Sequence, residues 1–486
     1  MKLTDGETIV PTHTVAPSME TPSSKDPSAR EQRLASGYGE FTTGPGEPVL
    51  DRTLDDMPPP LIPMGAKRTR LVRFAHLADF QIADDESPTR LAALDGPPPA
   101  EAAFRPQEGH GCRMTNAVVR TVNRIHKDLP LDFVLLGGDN SDSAQKNELE
   151  WVLALMDGGS RLACDSGDRD DPVPGPNNDG KDPFAPEGLD VPWYWVTGNH
   201  DILIQGNFVV DATSIEQSKG TLASGGTRDY RQPGSPITTD SIVPDGNRAA
   251  LSRTSVIDRV VIDRGKAGLL PAHGLGAYAK EKKKAFYTSD FGDSGVRLIV
   301  LDTAAETGGS EGVLRKSDLE GFVKPALADA KAEKKFVILA SHHAAASFSD
   351  GGGFGGTKQP DTVSTQEWEN LLTSNPHVIA HFAAHSHVHR VRPVSSIVPG
   401  TSAYWEITTS AIADYPHEFR TVEIADEGND YLSITSVAAD FSTEDDPVAL
   451  TGRKLGILDY TSHGVGSGQG TAKDRNVKLW IKKPKL

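Results

Sequence analysis

The chain has 486 residues, of which 37% are hydrophobic, and its formal net charge is −17. This length exceeds one minimal domain but allows a single large unit with insertions. The negative charge argues against nucleic acid or an anionic membrane as a partner held by bulk electrostatics. The sequence has no apolar stretch of about 18 residues that could span a membrane, and its polar N-terminus lacks the apolar core of a secretory signal. We therefore expect a cytoplasmic protein.

The two cysteines, Cys112 and Cys164, lie in loop-like sequence. Their spacing fits neither a metal site nor a disulfide framework. A single bridge between them is an open alternative. For a cytoplasmic chain, two reduced thiols are the simpler expectation.

The pattern of hydrophobic residues predicts alternating strands and helices. Apolar runs with strand character occur, in chain order, at 70–77, 131–136, 193–196, 296–301, 336–340 and 378–384. Helical spacing of apolar residues occurs at 114–127, 145–156, 317–333 and 366–373. Beyond residue 394 the pattern is one of short strands and turns. Strand, helix, strand in this order predicts a mostly parallel sheet.

Composition divides the chain into three parts. Residues 1–66 are rich in Pro, Ser, Thr and Gly and predict an extended or disordered arm. We expect a catalytic domain at 67–395, with insertions at 157–190 and 202–285. Residues 396–486 would add strands that complete a second sheet.

Five of the predicted strands end in polar side chains that suit metal binding. These side chains are Asp79, Gln81, Asp139, Asn199, His200, His342, His343, His385 and His387. Parallel strands bring their carboxyl ends to one edge of a sheet, so the side chains should meet there. Carboxylate, amide and imidazole without thiolate suit Mn, Fe or Zn. The set exceeds the needs of one tetrahedral ion and favours two ions about 3.5–4 Å apart.

The same residues form motifs in a fixed order. They are Asp79-Phe80-Gln81, Gly138-Asp139-Asn140-Ser141-Asp142, Gly198-Asn199-His200-Asp201, His342 and Ala384-His385-Ser386-His387. This series resembles the signature of the calcineurin-like metallophosphoesterase superfamily, which includes purple acid phosphatases and cyclic-nucleotide phosphodiesterases. The resemblance implies a four-layer αββα sandwich, in which helices flank two mixed β-sheets.

The resemblance also implies a division of labour. Asp139 would bridge two metal ions. Asp79, Gln81 and His387 would complete one ion, and Asn199, His342 and His385 the other. A hydroxide between the ions would attack phosphorus in line. His200 would donate a proton to the leaving or equatorial oxygen, and Asp142 would orient His200.

Two positions depart from the family signature. Gln81 stands in place of a histidine, and because an amide oxygen is a weaker ligand, Asp84 or Asp85 is an alternative. Ala384 stands in place of a glycine, which asks only that its φ stay negative.

Three further residues are candidates for substrate contact. His343 adjoins His342 and is expected in the wall of the site. His389 continues the alternation of His385 and His387, although a structural role is the simpler expectation for it. Arg390 follows and is equally compatible with a solvated position on a strand.

We therefore predict a dinuclear metal-dependent phosphoric ester hydrolase. Its substrate would be a small phosphomonoester or phosphodiester, with neither nucleic acid nor membrane as partner. The alternatives are a nuclease of the same superfamily, a non-catalytic metal-binding scaffold with this fold, and a hydrolase with a single zinc ion.

Overall fold

The structure is a computed structural model that describes residues 13–22, 32–55, 57–61, 66–97, 100–263, 265–266, 269–396, 398 and 400–485. Its strands are β1 (His13–Pro17), β2 (Phe41–Pro45), β3 (Leu50–Thr53), β4 (Thr69–Leu77), β5 (Phe133–Leu136), β6 (Trp193–Tyr194), β7 (Leu203–Ile204), β8 (Phe208–Val209), β9 (Thr227–Arg228), β10 (Ile237–Thr238), β11 (Tyr287–Asp290), β12 (Val296–Val300), β13 (Phe336–Ala340), β14 (Val378–Ala383), β15 (Arg390–Val394), β16 (Tyr404–Thr408), β17 (Phe419–Asp426), β18 (Tyr431–Ala439) and β19 (Val477–Lys482).

The helices in the described residues are α1 (Gly111–Asp128), α2 (Lys146–Asp157), α3 (Ala212–Lys219), α4 (Arg253–Ile262), α5 (Ala277–Lys282), α6 (Lys316–Asp318), α7 (Lys324–Ala332), α8 (Thr365–Thr373), α9 (Pro447–Thr461) and α10 (Ala472–Arg475). A π-helical turn, Leu319–Val323, joins α6 to α7. No helix in this part of the chain combines the length and the apolar character needed to cross a membrane.

Two large mixed sheets organise the described residues. The first has seven strands in the order β3-β19-β18-β17-β4-β5-β6, and β4, β5 and β6 are parallel. The second has six strands in the order β11-β12-β13-β14-β16-β15, and β12, β13, β14 and β16 are parallel. The prediction of two mixed sheets is confirmed.

The sheets pack face to face with helices outside. The ring of Phe74 on β4 meets that of Phe382 on β14 edge-on at 5.1 Å. Val118 on α1 and Val152 on α2 belong to the apolar cluster of the first sheet. Trp368 on α8 packs in the cluster that covers the outer face of the second. The predicted αββα layering is confirmed.

The C-terminal strands are divided between the sheets, whereas the sequence analysis placed them all in the second. β16 lies between β14 and β15, but β17 pairs antiparallel with β4, with Val422 opposite Phe74. Alternation of side chains specifies which face of a strand is buried, not which sheet it joins.

Helix α9 was not predicted. Its buried residues lie on every side and include Gly452, Arg453 and Asp459 as well as apolar residues, so the helical periodicity is obscured. A start signal is present, since Asp446 accepts a hydrogen bond from the N–H of Ala449 and a proline follows it.

The expectation of two reduced thiols is wrong. Cys112 and Cys164 form a disulfide, with a Cα–Cα distance of 6.5 Å across 52 residues of sequence. The acidic insert folds back over α1, where the guanidinium of Arg113 lies 4.8 Å above the ring of Phe184. Such a non-local contact leaves no spacing pattern in the sequence. Closing a loop of this length stabilises the folded state by about 4 kcal/mol in the chain-entropy description.

A polar cluster packs against Trp193 of strand β6. The indole N–H of Trp193 donates to Asp157 at 3.1 Å, and its ring stacks on His273 at 3.3 Å. His273 in turn bonds Asp263 at 2.8 Å. Burial, together with the neighbouring Asp263, raises the pKa of Asp157 to about 8. Asp157 is therefore protonated in the folded state at neutral pH.

Replacing Asp157 by Asn should stabilise the protein in mild alkali. The carboxyl group ionises near pH 4 when unfolded, so the free energy of unfolding falls as pH rises from about 4 to about 8. Asn keeps the donor and the acceptor and does not ionise. We expect a gain of about 1–2 kcal/mol at pH 8.5, after allowance for partial exposure, and no change at pH 4. Urea unfolding at both pH values measures this difference in the free energy of unfolding.

The matched control is Asp128→Asn. Asp128 also ends a helix, α1, but is exposed. An equal gain in both variants would assign the effect to the helix dipole and contradict the role of burial.

Candidate metal centre

The loops after the central strands of both sheets interlock at one edge of the sandwich. The backbone N–H of Asp79 donates to Gly138 O at 3.1 Å, and that of Gln81 donates to Asp139 O at 2.9 Å. Across the sheets, the N–H of His385 donates to the carboxylate of Asp79 at 3.3 Å. The predicted ligands are thus brought together by backbone contacts of their own loops.

Several predicted ligands have a left-handed backbone, which is rare outside glycine. The φ angles are 52° at Asp79, 43° at Gln81, 51° at Asp139, 67° at His385 and 57° at His387. Each costs about 1–2 kcal/mol. Neighbouring turns hold these conformations, as strain concentrated at a functional site requires.

Glycine is required at two positions beside Asp139. A Cβ at Gly138 would lie 2.7 Å from His342 Nδ1, and one at Gly198 would lie 2.1 Å from Asp139 Oδ1. These glycines let three strand ends approach within hydrogen-bonding distance.

A buried cluster of two carboxylates and two imidazoles forms the centre. His342 Nε2 lies 3.1 Å from Asp139 Oδ2 and 3.9 Å from Asp79 Oδ1. His387 Nε2 lies 3.4 Å from Asp79 Oδ1. One ion could therefore contact groups from both sheets.

Hydrogen bonds orient both imidazoles. Nδ1 of His342 donates to Gly137 O at 2.9 Å, and Nδ1 of His387 donates to Asp414 Oδ2 at 2.6 Å. With Nδ1 occupied, Nε2 of each ring is directed at the carboxylates, the arrangement that metal-binding histidines adopt. Asp414 was missed in the sequence, where it belongs to no motif.

The charges of the cluster favour a cation. Burial opposes protonation of His342 and His387, but the carboxylates of Asp139, Asp79 and Asp414 outweigh it and raise the pKa values to about 9 and about 10. Burial raises the pKa of Asp139, but His342, His200 and His385 outweigh it and depress that pKa. A site whose field favours bound protons also favours a metal ion that replaces them.

Four buried atoms at this centre have no hydrogen-bond partner among the described residues. They are Asp79 Oδ1, Gln81 Oε1, Asn199 Oδ1 and His342 Nε2. An orphaned buried polar atom costs about 1–3 kcal/mol. Carboxylate, amide oxygen and imidazole nitrogen are ligands that Mn, Fe and Zn accept. The residues therefore fit a metal centre.

Asn199 and Gln81 lie where the metal prediction needs them. Nδ2 of Asn199 donates to Gly206 O at 3.0 Å, which leaves Oδ1 for an ion. The alternatives to Gln81 are engaged elsewhere, since Asp84 pairs with Arg248 at 2.9 Å and Asp85 with Lys181 at 3.0 Å. Neither is free to replace Gln81.

His343 lies behind the centre and is closed to a substrate. Its ring centroid is 4.4 Å from that of His385, but both nitrogens are used. Nε2 donates to Ser310 O and Nδ1 accepts from the hydroxyl of Thr303, each at 2.9 Å. Burial, with the adjacent imidazoles, holds the pKa of His343 well below its usual range.

His200 keeps one nitrogen free. Its backbone N–H donates to Asp139 Oδ1 at 2.8 Å, and Nδ1 donates to the carbonyl of Asp142 at 2.6 Å. Nε2 has no hydrogen-bond partner in the described structure. Burial opposes protonation, but Asp139 and Asp142 together raise the pKa of His200.

Asp142 orients His200 mainly through its backbone. Its Oδ1 is 3.5 Å from His200 Nδ1, further than its carbonyl. The carboxylate instead pairs with Arg90 and accepts from Gln205 at 3.0 Å.

These groups line a cleft of about 340 Å³. From the predicted set, its walls contain Gln81, Asp139, Asn199, His200, His385 and His387. From loops that the sequence analysis did not single out come Glu101, Arg105, Ser310 and Ser467. Asp79 and His342 lie at 0% exposure beneath the floor.

The expected substrate contacts of His389 and Arg390 are not supported. The fully buried ring of His389 contacts Ser410 at 3.0 Å and Glu418 at 3.3 Å, away from the cleft. Arg390 is exposed at the start of β15. The left-handed residues His385 and His387 turn the chain, so the alternation of an extended strand does not continue to His389.

Comparison with known families decides the assignment. The model of the calcineurin-like phosphoesterase family matches residues 72–389, well over half of the chain. The chain belongs to this family. The match covers every strand end that carries a predicted metal ligand. No curated protein matches its sequence.

Two solved structures are similar in outline. Purple acid phosphatase PPD1 from yellow lupin (Lupinus luteus) seeds is 12% identical, with a TM-score of 0.37; the match covers 91% of this chain and 56% of the lupin chain. GAP50, the anchor in the inner membrane complex of Plasmodium, is 11% identical, with a TM-score of 0.34 and coverages of 82% and 96%. The chain thus spans little more than half of the length of the lupin protein.

Proposed function

We propose that this phosphoesterase hydrolyses small esters of phosphoric acid with two metal ions. The observation that carries the proposal is a set of four buried atoms without a hydrogen bond, from Asp79, Gln81, Asn199 and His342, near one carboxylate, that of Asp139. Side chains of both sheets contribute to this set, and a free imidazole nitrogen stands beside it.

Asp79, Gln81 and His387 would hold one ion and Asn199, His342 and His385 the other, with Asp139 between them. When bound, two such ions supply Lewis acidity that lowers the pKa of water and neutralises charge developing on phosphorus. Manganese, iron and zinc suit these ligands.

His200 supplies the proton. Its Nδ1–H is held by the carbonyl of Asp142, so protonated His200 presents Nε2–H at the cleft. As the bond from phosphorus to the leaving oxygen breaks, that oxygen takes this proton. Asp201 accepts from the N–H groups of Asn140, Ser141 and Gly198 and holds the loops that carry Asp139 and His200.

The size and charge of the protein support a small substrate. A cleft of about 340 Å³ lies within the range of small-molecule sites. The net charge of −17 would repel a polyanion over long range. DNA binding that weakens steeply with salt would instead favour the nuclease.

Metal analysis joined to a substrate screen tests the proposal. Protein reconstituted with Mn, Fe, Zn or Mg should bind two equivalents per chain and hydrolyse p-nitrophenyl phosphate or its bis-ester. One equivalent would point to a mononuclear hydrolase. Two equivalents without hydrolysis of either ester would leave a metal-binding scaffold and refute the enzyme.

The disulfide bears on location. Disulfides persist in oxidising compartments and are rare in the cytosol. The Cys112–Cys164 bridge therefore favours an oxidising compartment over the cytoplasmic location expected from the sequence.

A further inference from the structure

An arginine in the cleft wall has no role in the site described so far. Arg105 lies in the loop before α1, is 5% exposed and lines the cleft beside Gln81 and His387. Its Nε donates to Asp414 Oδ1 at 2.6 Å and its Nη2 to Asp414 Oδ2 at 3.2 Å. The guanidinium is thus held by two bonds to one buried carboxylate.

Asp414 also holds a predicted metal ligand. Its Oδ2 accepts from His387 Nδ1 at 2.6 Å, so one carboxylate fixes both the imidazole and the guanidinium. Two backbone hydrogen bonds hold the loop that carries Asp414. The N–H of Ile412 donates to Ala78 O and the N–H of Ala413 donates to Asp79 O, each at 3.0 Å. The position of Arg105 is therefore tied to that of the ligand cluster.

Part of the guanidinium is free to bind something else. Nη1 has no hydrogen-bond partner among the described residues, and a guanidinium has five N–H donors in a rigid fork. Asp414 takes the Nε proton and one Nη2 proton, so the remaining donors are on Nη1 and Nη2, and the Arg105 side chain lines the cleft. A cation held rigidly beside a cluster of metal ligands suits an oxyanion.

We propose that Arg105 binds a non-ester oxygen of the substrate phosphoryl group and favours phosphomonoesters over diesters. A monoester carries three non-ester oxygens and two charges, whereas a diester carries two oxygens and one charge. Metal ions at the centre would supply Lewis acidity, and Arg105 would bind the additional oxygen and charge that only the monoester carries. Asp414 is the positioning residue for Arg105. The inference rests on the proposed function of this cleft.

The test uses Arg105→Lys and Arg105→Gln in the metal-loaded full chain. Isothermal titration should show inorganic phosphate binding about tenfold more weakly or worse, since hydrogen bonds to charged groups are the strong ones. KM for p-nitrophenyl phosphate should rise about tenfold, while kcat/KM for the bis-ester changes less than about twofold. Metal content, by mass spectrometry, should equal that of the wild type.

Arg113→Lys is the matched control. Arg113 is also 5% exposed and also makes two bonds to one buried carboxylate, that of Asp446, but it lies outside the cleft. Its replacement should leave phosphate binding unchanged. Asp414→Asn should lower metal content as well, because it loosens His387.

Several results would overturn the inference. These are unchanged phosphate affinity in both Arg105 variants, an equal loss in Arg113→Lys, or a loss of metal in Arg105→Lys that accounts for all weakening. Failure of the proposed function looks different. Wild-type protein would then bind phosphate in an Arg105-dependent way but hydrolyse no ester.

Discussion

Replacing His200 by alanine should lower kcat for phenyl phosphate by about 10²–10⁴-fold, with metal content unchanged. The phenoxide leaving group needs a proton, and the free Nε2 of His200 is placed to give it. Among the described residues, the imidazole hydrogen-bonds only the carbonyl of Asp142, so its removal spares the proposed metal ligands. Single-turnover kinetics with mass spectrometry of bound metal measures both quantities.

The dependence on the leaving group makes the test of His200 specific. p-Nitrophenolate leaves without help, so His200→Ala should lose much less activity on p-nitrophenyl phosphate than on phenyl phosphate. Asn199→Ala is the comparison variant, because loss of a proposed metal ligand should slow both esters equally and reduce bound metal. Equal losses on both esters in His200→Ala would rule out its role as the acid.

A chain that ends at residue 395 should not fold, although it keeps every predicted metal ligand. It lacks β16, which lies between β14 and β15, and β17, which pairs with β4. The inner faces of both sheets would lose neighbours, and the loss exceeds the usual net stability of about 5–15 kcal/mol. Circular dichroism and thermal melting report the outcome.

The control for this truncation removes the other end. A chain that starts at residue 32 loses β1, which pairs only with β2 in a separate small sheet. It should melt cooperatively. A cooperative transition in the chain that ends at residue 395 would show that the family-matched region folds alone.

The sequence predicts local structure better than assembly. Short apolar runs located β4, β5, β13 and β14 to within a few residues, because each is buried on both faces. Assignment of β17–β19 to the first sheet could not be predicted, since strand pairing over hundreds of residues leaves no periodic signal. Helix α9 was hidden by burial on all sides.

In the candidate site, too, some residues could be predicted from the sequence and others could not. Residues that follow strands, such as Asp139, Asn199 and His342, could be found because strand ends and motifs mark them. Asp414 and Arg105 lie in irregular loops, and their contacts with the site arise only from the tertiary packing of those loops. His389 shows the converse error, since a regular spacing in sequence was broken by left-handed turns.

The disulfide has a practical consequence for labelling. Both cysteines of the chain are consumed in it, so the folded protein offers no free thiol. A cysteine introduced by Phe354→Cys would be the single site for maleimide chemistry in buffer without reductant. Phe354 is 77% exposed and contacts Phe208, two residues from Gly206, which itself abuts His200. A fluorophore there would lie next to the segment that leads to His200.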